Sequence, residues 1–296
     1  MHLCQFITLF YIPKLYAPGQ YPTIFNITAY LWAFRDGIFC MRILFAIGLL
    51  LLHIASSTSS YAQESKVTVG SGYSLPPYMI DGSQRGLLSE IVVASFVATG
   101  QQVEFKFDTN INSIKAFKSY QSDAVLNATS EAFPSSYLSD VVITFKNRAI
   151  SLRKNNFQIQ HINDLLKFSV IGFNAASKLL SSDYRQMVAQ HTRYSERVRQ
   201  IEQVQALLVG NTEVIIADEL IFKYFRSQLA RNHYSEQAYR EQVDFHPVLP
   251  ETDYRIAFHD EALRNKFNTG LKIINDNGLL AKIHRRYDLL LDSHLF

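Results

Sequence analysis

The chain has 296 residues, of which 48% are hydrophobic and 19% charged, with a formal net charge of +3. This length allows one large domain or two modest ones, and the near-neutral charge argues against nucleic acid as the main partner. Both cysteines, Cys4 and Cys40, lie near the N-terminus. The remainder therefore has no disulfide, thiol nucleophile or cysteine metal site.

The first predicted elements are an upstream extension and an export signal. Met41-Arg42 precedes the apolar run ILFAIGLLLLHIA, a Ser-rich stretch and a small-residue zone that ends at Ala62. This pattern is typical of a signal peptide, so we predict an upstream extension at 1–40, a signal peptide at 41–62 and a periplasmic protein. The alternative is a genuine N-terminal extension with a membrane anchor. Cleavage after Ala62 would leave a net charge of about +1.

Strand-like and helix-like patterns alternate from residue 66 onward. For example, the apolar residues of 87–97 recur with helical spacing, whereas 102–107 alternates polar and apolar residues as a strand does. The alternation predicts an α/β fold with mostly parallel sheets. Strands are predicted at 67–70, 102–107, 124–128, 149–153, 169–172, 214–217 and 255–258, and helices at 87–97, 111–120, 178–189, 201–209, 219–229, 261–277 and 279–287. Residues 231–244 are predicted to be an irregular surface excursion.

Two segments of the chain are similar to each other. IKAFKSYQSDAVLNA (114–128) aligns without a gap to VQALLVGNTEVIIAD (204–218). Each contains a helix, a polar turn, an acidic residue and an apolar strand with a polar residue near its end, Asn127 or Asp218. Because open α/β sheets bind ligands outside the carboxyl ends of their strands, these two units predict strand ends that face each other across a cleft. Coincidence is the alternative, since βα units are common.

The order of motifs resembles a known family. LPPYMI follows the first strand, SYQSDAVLNAT and VGNTEVIIAD follow in turn, and YRIAFHDEALRNKFNTGLKIINDNGLLAKIHRRY closes the chain. Individually these motifs are weak, but their order resembles the family 3 periplasmic solute-binding proteins, the polar amino-acid-type receptors of ABC importers. The resemblance covers nearly all of residues 66–288.

The resemblance implies a two-lobed periplasmic binding protein-like fold of type II, with a mostly parallel, helix-flanked sheet in each lobe. Hinge closure would trap a small polar molecule between the lobes. The implied protein is a monomer without cofactor or metal, and its partner is the membrane permease of an ABC importer or a membrane sensor. Lobe one would comprise 66–147 and 252–296, lobe two 154–246, and the hinge crossings 148–153 and 247–255.

In lobe one, the resemblance implies that Tyr73 or Tyr78 lines the ligand pocket. A tyrosine ring can cover an apolar surface, stack on a flat group or face a cation. The alternative for both is packing on the core of lobe one. Asn127 and Thr129, at the end of a predicted strand, are expected either to hydrogen-bond the ligand or to shape a turn.

In lobe two, Asp218 ends an apolar strand, and in amino-acid-binding relatives an acid at this place pairs with the ligand ammonium group. Its alternative role is to cap the helix that begins at Glu219. Asn174 and Ser177 lie between a strand and a helix, where backbone N–H groups attract anions. The family has a Gly-Thr pair there for a carboxylate, and Ala176-Ser177 takes its place; an ordinary N-cap role for Ser177 is the alternative.

One departure from the family concerns the ligand carboxylate. Many amino-acid receptors carry Thr-x-x-Arg after the lobe-one strand, and the arginine grips the carboxylate with two hydrogen bonds. Here Thr129 is followed by Ala132 at the arginine position, with Arg148 as the nearest alternative. The missing arginine argues against a standard α-amino acid as the ligand.

The sequence argues against an enzyme. It has no Gly-x-Ser-x-Gly or His-Glu-x-x-His pattern, and its histidines lack metal-ligand spacing. The predicted function is therefore ligand capture without catalysis. A stand-alone periplasmic sensor and a dehydratase on the same fold are the alternatives.

Overall fold

The computed structural model describes residues 66–80, 84–233, 235 and 237–292. All of these residues belong to one compact unit. The predicted extension at 1–40 and the predicted signal peptide at 41–62 lie outside them. Within the described ranges, no helix has both the length and the apolar character needed to cross a membrane.

The described elements alternate between strands and helices, as predicted. The strands are β1 (Val67–Gly72), β2 (Val103–Asp108), β3 (Ala124–Ala128), β4 (Tyr137–Leu138), β5 (Ile143–Phe145), β6 (Asn147–Leu152), β7 (Val170–Phe173), β8 (Tyr194–Arg197), β9 (Val214–Asp218), β10 (Val243–His246) and β11 (Thr252–Phe258). The α-helices are α1 (Leu87–Val97), α2 (Asn110–Lys118), α3 (Ala176–Leu179), α4 (Ser182–Ala189), α5 (Gln200–Leu208), α6 (Glu219–Asn232), α7 (Glu261–Asp276) and α8 (Leu279–Asp292). Short 3₁₀-helices occur at Arg153–Asn155, Ile162–Lys167 and Gln237–Arg240.

The strands of the described ranges form two sheets. The first has the order β2-β1-β3-β11-β4, and β5 also pairs with β11. In it β1 is parallel to β2 and β3, whereas β11 runs antiparallel to β3. The second sheet has the order β10-β6-β9-β7-β8, with β7 parallel to β8 and β9. Each sheet therefore contains a parallel βα portion and antiparallel strands that come from the connecting segments.

The second sheet is buried on both faces. Successive residues of β9 point to opposite faces, so Ile215 packs in one apolar cluster and Ile216 in the other. The first cluster contains Phe222 of α6, and the second contains Tyr184 of α4. Burial on both faces explains why β9 reads as a continuous apolar run rather than an alternating one.

The chain passes between the sheets twice. It leaves the first sheet at the end of β5 and enters the second at the start of β6, so the first crossing is at Lys146. It returns from β10 to β11 through residues 247–251. The predicted crossing at 148–153 thus lies largely inside β6, which pairs with β9 and β10. The predicted lobe boundaries stay a prediction, and the chain passes between the sheets at Lys146 and at residues 247–251.

Predicted and observed elements also differ in other places. The helix predicted at 178–189 is two helices, α3 and α4, because the Ser181 side chain accepts a hydrogen bond from Tyr184 N and starts a new helix there. The prediction of an irregular surface excursion at 231–244 was wrong in part. Tyr239 is 2% exposed, and β10 pairs with β6. Strands β4, β5, β8 and β10 were not predicted, since each is short.

Candidate functional site

The predicted binding residues lie at the carboxyl ends of parallel strands. Tyr73 follows β1, Asn127 and Thr129 end or follow β3, Asn174 and Ser177 follow β7, and Asp218 is the last residue of β9. Since β1 is parallel to β3 and β7 is parallel to β9, these ends lie at one edge of each sheet. Such edges are where open α/β sheets bind ligands.

The two edges adjoin at the crossings. At the start of β6, Asn147 pairs with Asp218, the last residue of β9. In the first sheet, Arg255 of β11 pairs with Ala128 at the end of β3, and Thr252 pairs with Phe145. The carboxyl ends of β3 and β9 therefore both lie beside the segments that connect the sheets.

Tyr78 contacts both sheets. Its side chain is 1% exposed and its ring stacks on Phe145, with ring centroids 4.2 Å apart. Its hydroxyl donates a hydrogen bond of 2.9 Å to Asp218 Oδ1. Burial, with the nearby Asp218 carboxylate, raises the pKa of Tyr78 above its ordinary value. Tyr78 thus packs on the core of the first sheet, as the alternative prediction had it, and also reaches the end of β9.

The LPPYM loop holds Tyr78 in this position. Leu75 and Met79 form an isolated antiparallel bridge that closes the loop. Tyr78 O accepts a hydrogen bond from Leu88 N in the first turn of α1. Gly86, which precedes α1, has φ of +124°, and a Cβ there would lie 2.3 Å from Tyr78 O. A glycine is therefore needed for the loop and α1 to approach this closely.

Asp218 is a buried helix cap. It is 2% exposed, and its Oδ1 accepts hydrogen bonds from Leu220 N and Ile221 N at 3.0 and 3.1 Å as well as from Tyr78. Its Oδ2 accepts from Lys146 N at 2.8 Å. Burial raises the pKa of Asp218 above its ordinary value, although these four donors oppose the rise. The capping alternative is confirmed, and pairing of Asp218 with a ligand ammonium group stays a prediction.

Asn127 carries an unpaired acceptor. It adopts a left-handed backbone conformation with φ of +57°, which asparagine tolerates better than most residues. Its Oδ1 is buried and takes no hydrogen bond from any residue of the described ranges. Buried acceptors in proteins nearly always have a partner, so this oxygen is available to accept a hydrogen bond from a water molecule or a ligand.

Thr129 shapes a turn. Its Oγ1 accepts a hydrogen bond from Ala132 N at 3.4 Å, and its carbonyl accepts one from Phe133 N at 3.1 Å. These bonds support the turn-shaping alternative for this residue. Tyr73, in the loop after β1, is 57% exposed. Any role of either side chain in binding stays a prediction.

The turn between β7 and α3 holds an internal carboxylate. Ala175 N and Ser177 N donate to Glu196 Oε2 and Oε1 at 2.7 and 2.9 Å, and Tyr194 Oη donates to Oε1 at 2.9 Å. The N-cap of α3 is Ala175, with φ of +63°, so the N-cap alternative for Ser177 was wrong. Asn174 is exposed beside them. The N–H groups predicted to attract a ligand anion thus bind Glu196.

Glu196 was missed at the level of the sequence. Tyr194 and Glu196 are two residues apart and therefore lie on the same face of β8. This spacing is only a weak signal for an anchored carboxylate, because many strands alternate polar and aromatic residues. Burial opposes ionisation of Glu196, but the hydrogen bonds from Ser177, Tyr194 and Ala175 outweigh it and hold the pKa of Glu196 below its ordinary value.

Arg148 is paired at the crossings. Its Nε lies 2.6 Å from Glu219 Oε1 and its Nη2 lies 2.7 Å from Glu251 Oε1. The Arg148 side chain is only 10% exposed. The Arg148 guanidinium group, which was the nearest alternative to an arginine at position 132, therefore already pairs with two carboxylates.

A cavity of about 460 Å³ opens beside Tyr78 and Asp218. This volume is within the range of small-molecule sites. The other predicted binding residues do not line this cavity. The rest of its lining contains no sequence motif that is typical of a binding site. It is lined by Tyr78, Val141, Val142, Ile143, Thr144, Lys146, Asp218, Glu219, Leu220, Lys223, His284 and Asp288. In the part of the chain that the structure describes, no group of three or more His, Cys, Asp or Glu side chains could hold a metal ion.

No family model matches the chain. The arginine-binding extracellular protein ArtP of Bacillus subtilis is 27% identical over 251 residues, which cover 79% of this chain and 90% of ArtP. A histidine kinase sensor domain with similarity to periplasmic binding proteins superposes with a TM-score of 0.57 at 15% identity, covering 76% of this chain and 97% of that domain. The arginine-, lysine-, histidine-binding protein ArtJ of Geobacillus stearothermophilus superposes with a TM-score of 0.54 at 16% identity, covering 75% of this chain and 95% of ArtJ.

The solved structures share the fold, which is the two-lobed type II fold of periplasmic binding proteins. ArtP matches along nearly its whole length, and the order of motifs in the sequence agrees with that match. The chain therefore has the two-lobed fold of periplasmic binding proteins and is similar in sequence to ArtP over most of both chains.

Proposed function

We propose that the chain captures a small, positively charged solute between its two lobes outside the cytoplasm and delivers it to the permease of an ABC importer. The observation that carries this proposal is the unpaired Asn127 Oδ1 at the carboxyl end of β3, beside the junction with the second sheet. An unpaired buried acceptor favours a ligand that donates hydrogen bonds, and ammonium and guanidinium groups only donate.

The charges around the junction favour the same class of solute. Asp218, Glu219 and Glu196 lie at or just beyond the carboxyl-end edge of the second sheet. Arg148, the buried cation at the crossings, is paired with Glu219 and Glu251. ArtP, which is named for binding arginine, supports a cationic solute by similarity.

The proposed capture uses the hinge between the sheets. Tyr78 from the loop after β1 and Asp218 from β9 already make a hydrogen bond across the junction. Closure around a solute would bring the turns after β3 and β7 toward each other and exclude water from the site. The lobe boundaries predicted from the sequence are part of this proposal. The crossings, predicted at 148–153 and 247–255, are placed in it at Lys146 and 247–251.

Two other functions are distinguishable from transport. A stand-alone sensor would bind the same solute but act on a membrane partner, and the histidine kinase sensor domain named above has this fold. A dehydratase would turn over a prephenate-like substrate. ArtP and ArtJ are named as binding proteins, which favours binding over catalysis.

The test measures binding to the full chain. Arginine, lysine, agmatine and putrescine are screened by thermal shift against glutamate and glucose, and calorimetry follows for each solute that raises the melting temperature. A solute that binds only the folded protein raises this temperature by mass action. We expect at least one of the cationic solutes to bind and glutamate and glucose to have no effect. Binding of glutamate or glucose alone would refute the proposal.

A pair of asparagine substitutions locates the solute. Asn127→Gly keeps the left-handed backbone and removes the unpaired acceptor, so we expect about a tenfold loss of affinity for the cationic solute. Asn156→Gly makes the same change at another left-handed residue, φ of +49°, beyond the opposite end of β6. The control is expected to bind as the wild type does. Equal affinities in both variants would exclude Asn127 from the site.

A further inference from the structure

We infer that Glu196 determines specificity by filling, from within the protein, the position that a ligand carboxylate would take. The solute would then be a small amine or guanidine that has no carboxylate, rather than an amino acid. This inference rests on the proposed capture of a cationic solute and narrows its chemical class.

The Glu196 carboxylate is held at the β7–α3 turn by donors on three residues. These are the N–H groups of Ala175 and Ser177 and the hydroxyl of Tyr194, all within 2.9 Å of a carboxylate oxygen. Gly172 gives the tyrosine room, because a Cβ at this position would lie 2.5 Å from Tyr194 Oη. The donors at this turn are therefore already engaged by a fixed side chain.

This carboxylate lies at the same sheet edge as Asp218. Ile171 of β7 pairs with Ile215 of β9. Asn174 lies three residues after Ile171, and Asp218 lies three residues after Ile215. Paired strands lie about 4.8 Å apart, which places the β7–α3 turn next to the end of β9. A ligand carboxylate that approached this turn would find the N–H groups of Ala175 and Ser177 already bonded to Glu196. Its negative charge and that of Glu196 would repel each other at such short range.

The arginines near this edge already have partners. Arg185 donates to Ser177 O at 3.4 Å and to Lys178 O at 3.2 Å. Arg148 is paired with two carboxylates. Arg197 points to the face of β8 opposite Glu196, and its Nη1 donates to Ser195 Oγ at 3.4 Å and to Glu196 O at 3.2 Å. After β3, the position where many amino-acid receptors carry an arginine is Ala132.

Glu196 remains charged at neutral pH. Its burial favours the neutral acid, but its hydrogen bonds outweigh that effect and keep its pKa below the ordinary value. The N–H groups of Ala175 and Ser177 therefore stay engaged under the conditions in which the protein would meet its solute.

The experiment compares solutes that differ only by a carboxylate. Calorimetry on the full chain measures the affinities of agmatine and arginine, and of cadaverine and lysine. We expect each decarboxylated solute to bind at least about tenfold more tightly than its amino acid. Arginine or lysine binding as tightly as its partner, or more tightly, would overturn the inference while leaving the capture of a cationic solute intact. Binding of none of the four would overturn both.

Substitution of Glu196 tests the assigned residue. Glu196→Ala frees the N–H groups of Ala175 and Ser177, so the affinity ratio of agmatine to arginine should fall about tenfold. Glu196→Gln keeps the side chain and removes the charge, and should lower the ratio in the same direction even if the alanine variant folds poorly. Glu202→Ala, at a surface position of α5, is the control and should leave the ratio unchanged. An unchanged ratio in the Glu196 variants that fold would overturn the inference.

Discussion

The turns after β7 and β9 each hold a hydrogen-bonded carboxylate, but the pKa shifts of the two carboxylates have opposite signs. At each turn a carboxylate accepts backbone N–H groups at the start of a helix. Asp218, after β9, is 2% exposed and has a raised pKa, whereas Glu196, which serves the turn after β7, is partly exposed and has a lowered pKa. The number of donors does not explain this difference, since each carboxylate has several.

Burial explains the difference. At Asp218 the loss of water outweighs four donors, whereas at Glu196 the donors outweigh a smaller loss of water. The two acids also differ in the parts of the molecule that they connect. Asp218 binds Tyr78 and Lys146 and so ties the two sheets together. Glu196 binds Ala175 and Ser177 at the β7–α3 turn and Tyr194 of β8. The deeper carboxylate therefore holds the junction, and the shallower one engages the N–H groups of the β7–α3 turn.

Replacing Asp218 should have the largest effect on stability. Asp218→Ala removes a helix cap and leaves the Tyr78 hydroxyl and Lys146 N without their acceptor, so we expect a loss of about 3–4 kcal/mol in the free energy of unfolding. Urea denaturation monitored by circular dichroism measures it. Asp260→Ala removes an exposed cap, which bonds Ala262 N at 2.8 Å, and should cost about 1 kcal/mol. Equal losses in the two variants would contradict the role of Asp218 at the junction.

Replacing Tyr78 by phenylalanine should have a moderate effect. Tyr78→Phe keeps the stack on Phe145 and removes one hydrogen bond to Asp218, so the expected loss is about 1 kcal/mol by the same denaturation measurement. Tyr120→Phe removes a hydroxyl from a side chain that is 79% exposed and should cost almost nothing. A Tyr78→Phe variant as stable as the wild type would indicate that the contact across the junction contributes little.

Removing the charge of Glu196 should have the smallest effect on stability, and that effect should depend on pH. The pKa of Glu196 is lower in the folded chain than its ordinary value of 4.5, so its ionised form stabilises the fold above that pH. We expect Glu196→Gln to be about 0.5–1 kcal/mol less stable than the wild type at pH 7. The gap should close as the pH falls below 4.5 through the folded pKa, in denaturation curves collected from pH 7 to pH 3. A gap that is constant across this range would argue against an ionised Glu196.

Much of the fold could be predicted from patterns along the chain. Helix α1 and strand β3 begin and end at the predicted residues, because helical spacing and a short apolar run are local signals. The placement of Asn127 and Asp218 at strand ends also followed from local patterns. Strands β4, β5, β8 and β10 were missed, since two to four residues carry too little periodicity. The buried Tyr239 was missed because its neighbours are polar.

The candidate site was less predictable for a physical reason. A carboxylate in the sequence has no assigned donor until the chain is folded, and Glu196 lies 19 residues from Ser177, the donor it meets at the β7–α3 turn. Likewise, Arg148 was an open alternative until Glu219 and Glu251, distant in the sequence, were found beside it. Contacts of this kind depend on strand register, which local patterns do not specify.

The sequence by itself determined the alternation of strands and helices, the order of motifs that resembles the family 3 periplasmic solute-binding proteins, and the residue types at the strand ends, because these depend on neighbouring residues. The tertiary structure alone decided that Asp218 is buried against Tyr78, that Glu196 occupies the N–H groups of the β7–α3 turn and that Asn127 Oδ1 has no partner among the described residues. Burial and hydrogen-bond partners come from segments far apart in the chain, and they set the charge and availability of each group.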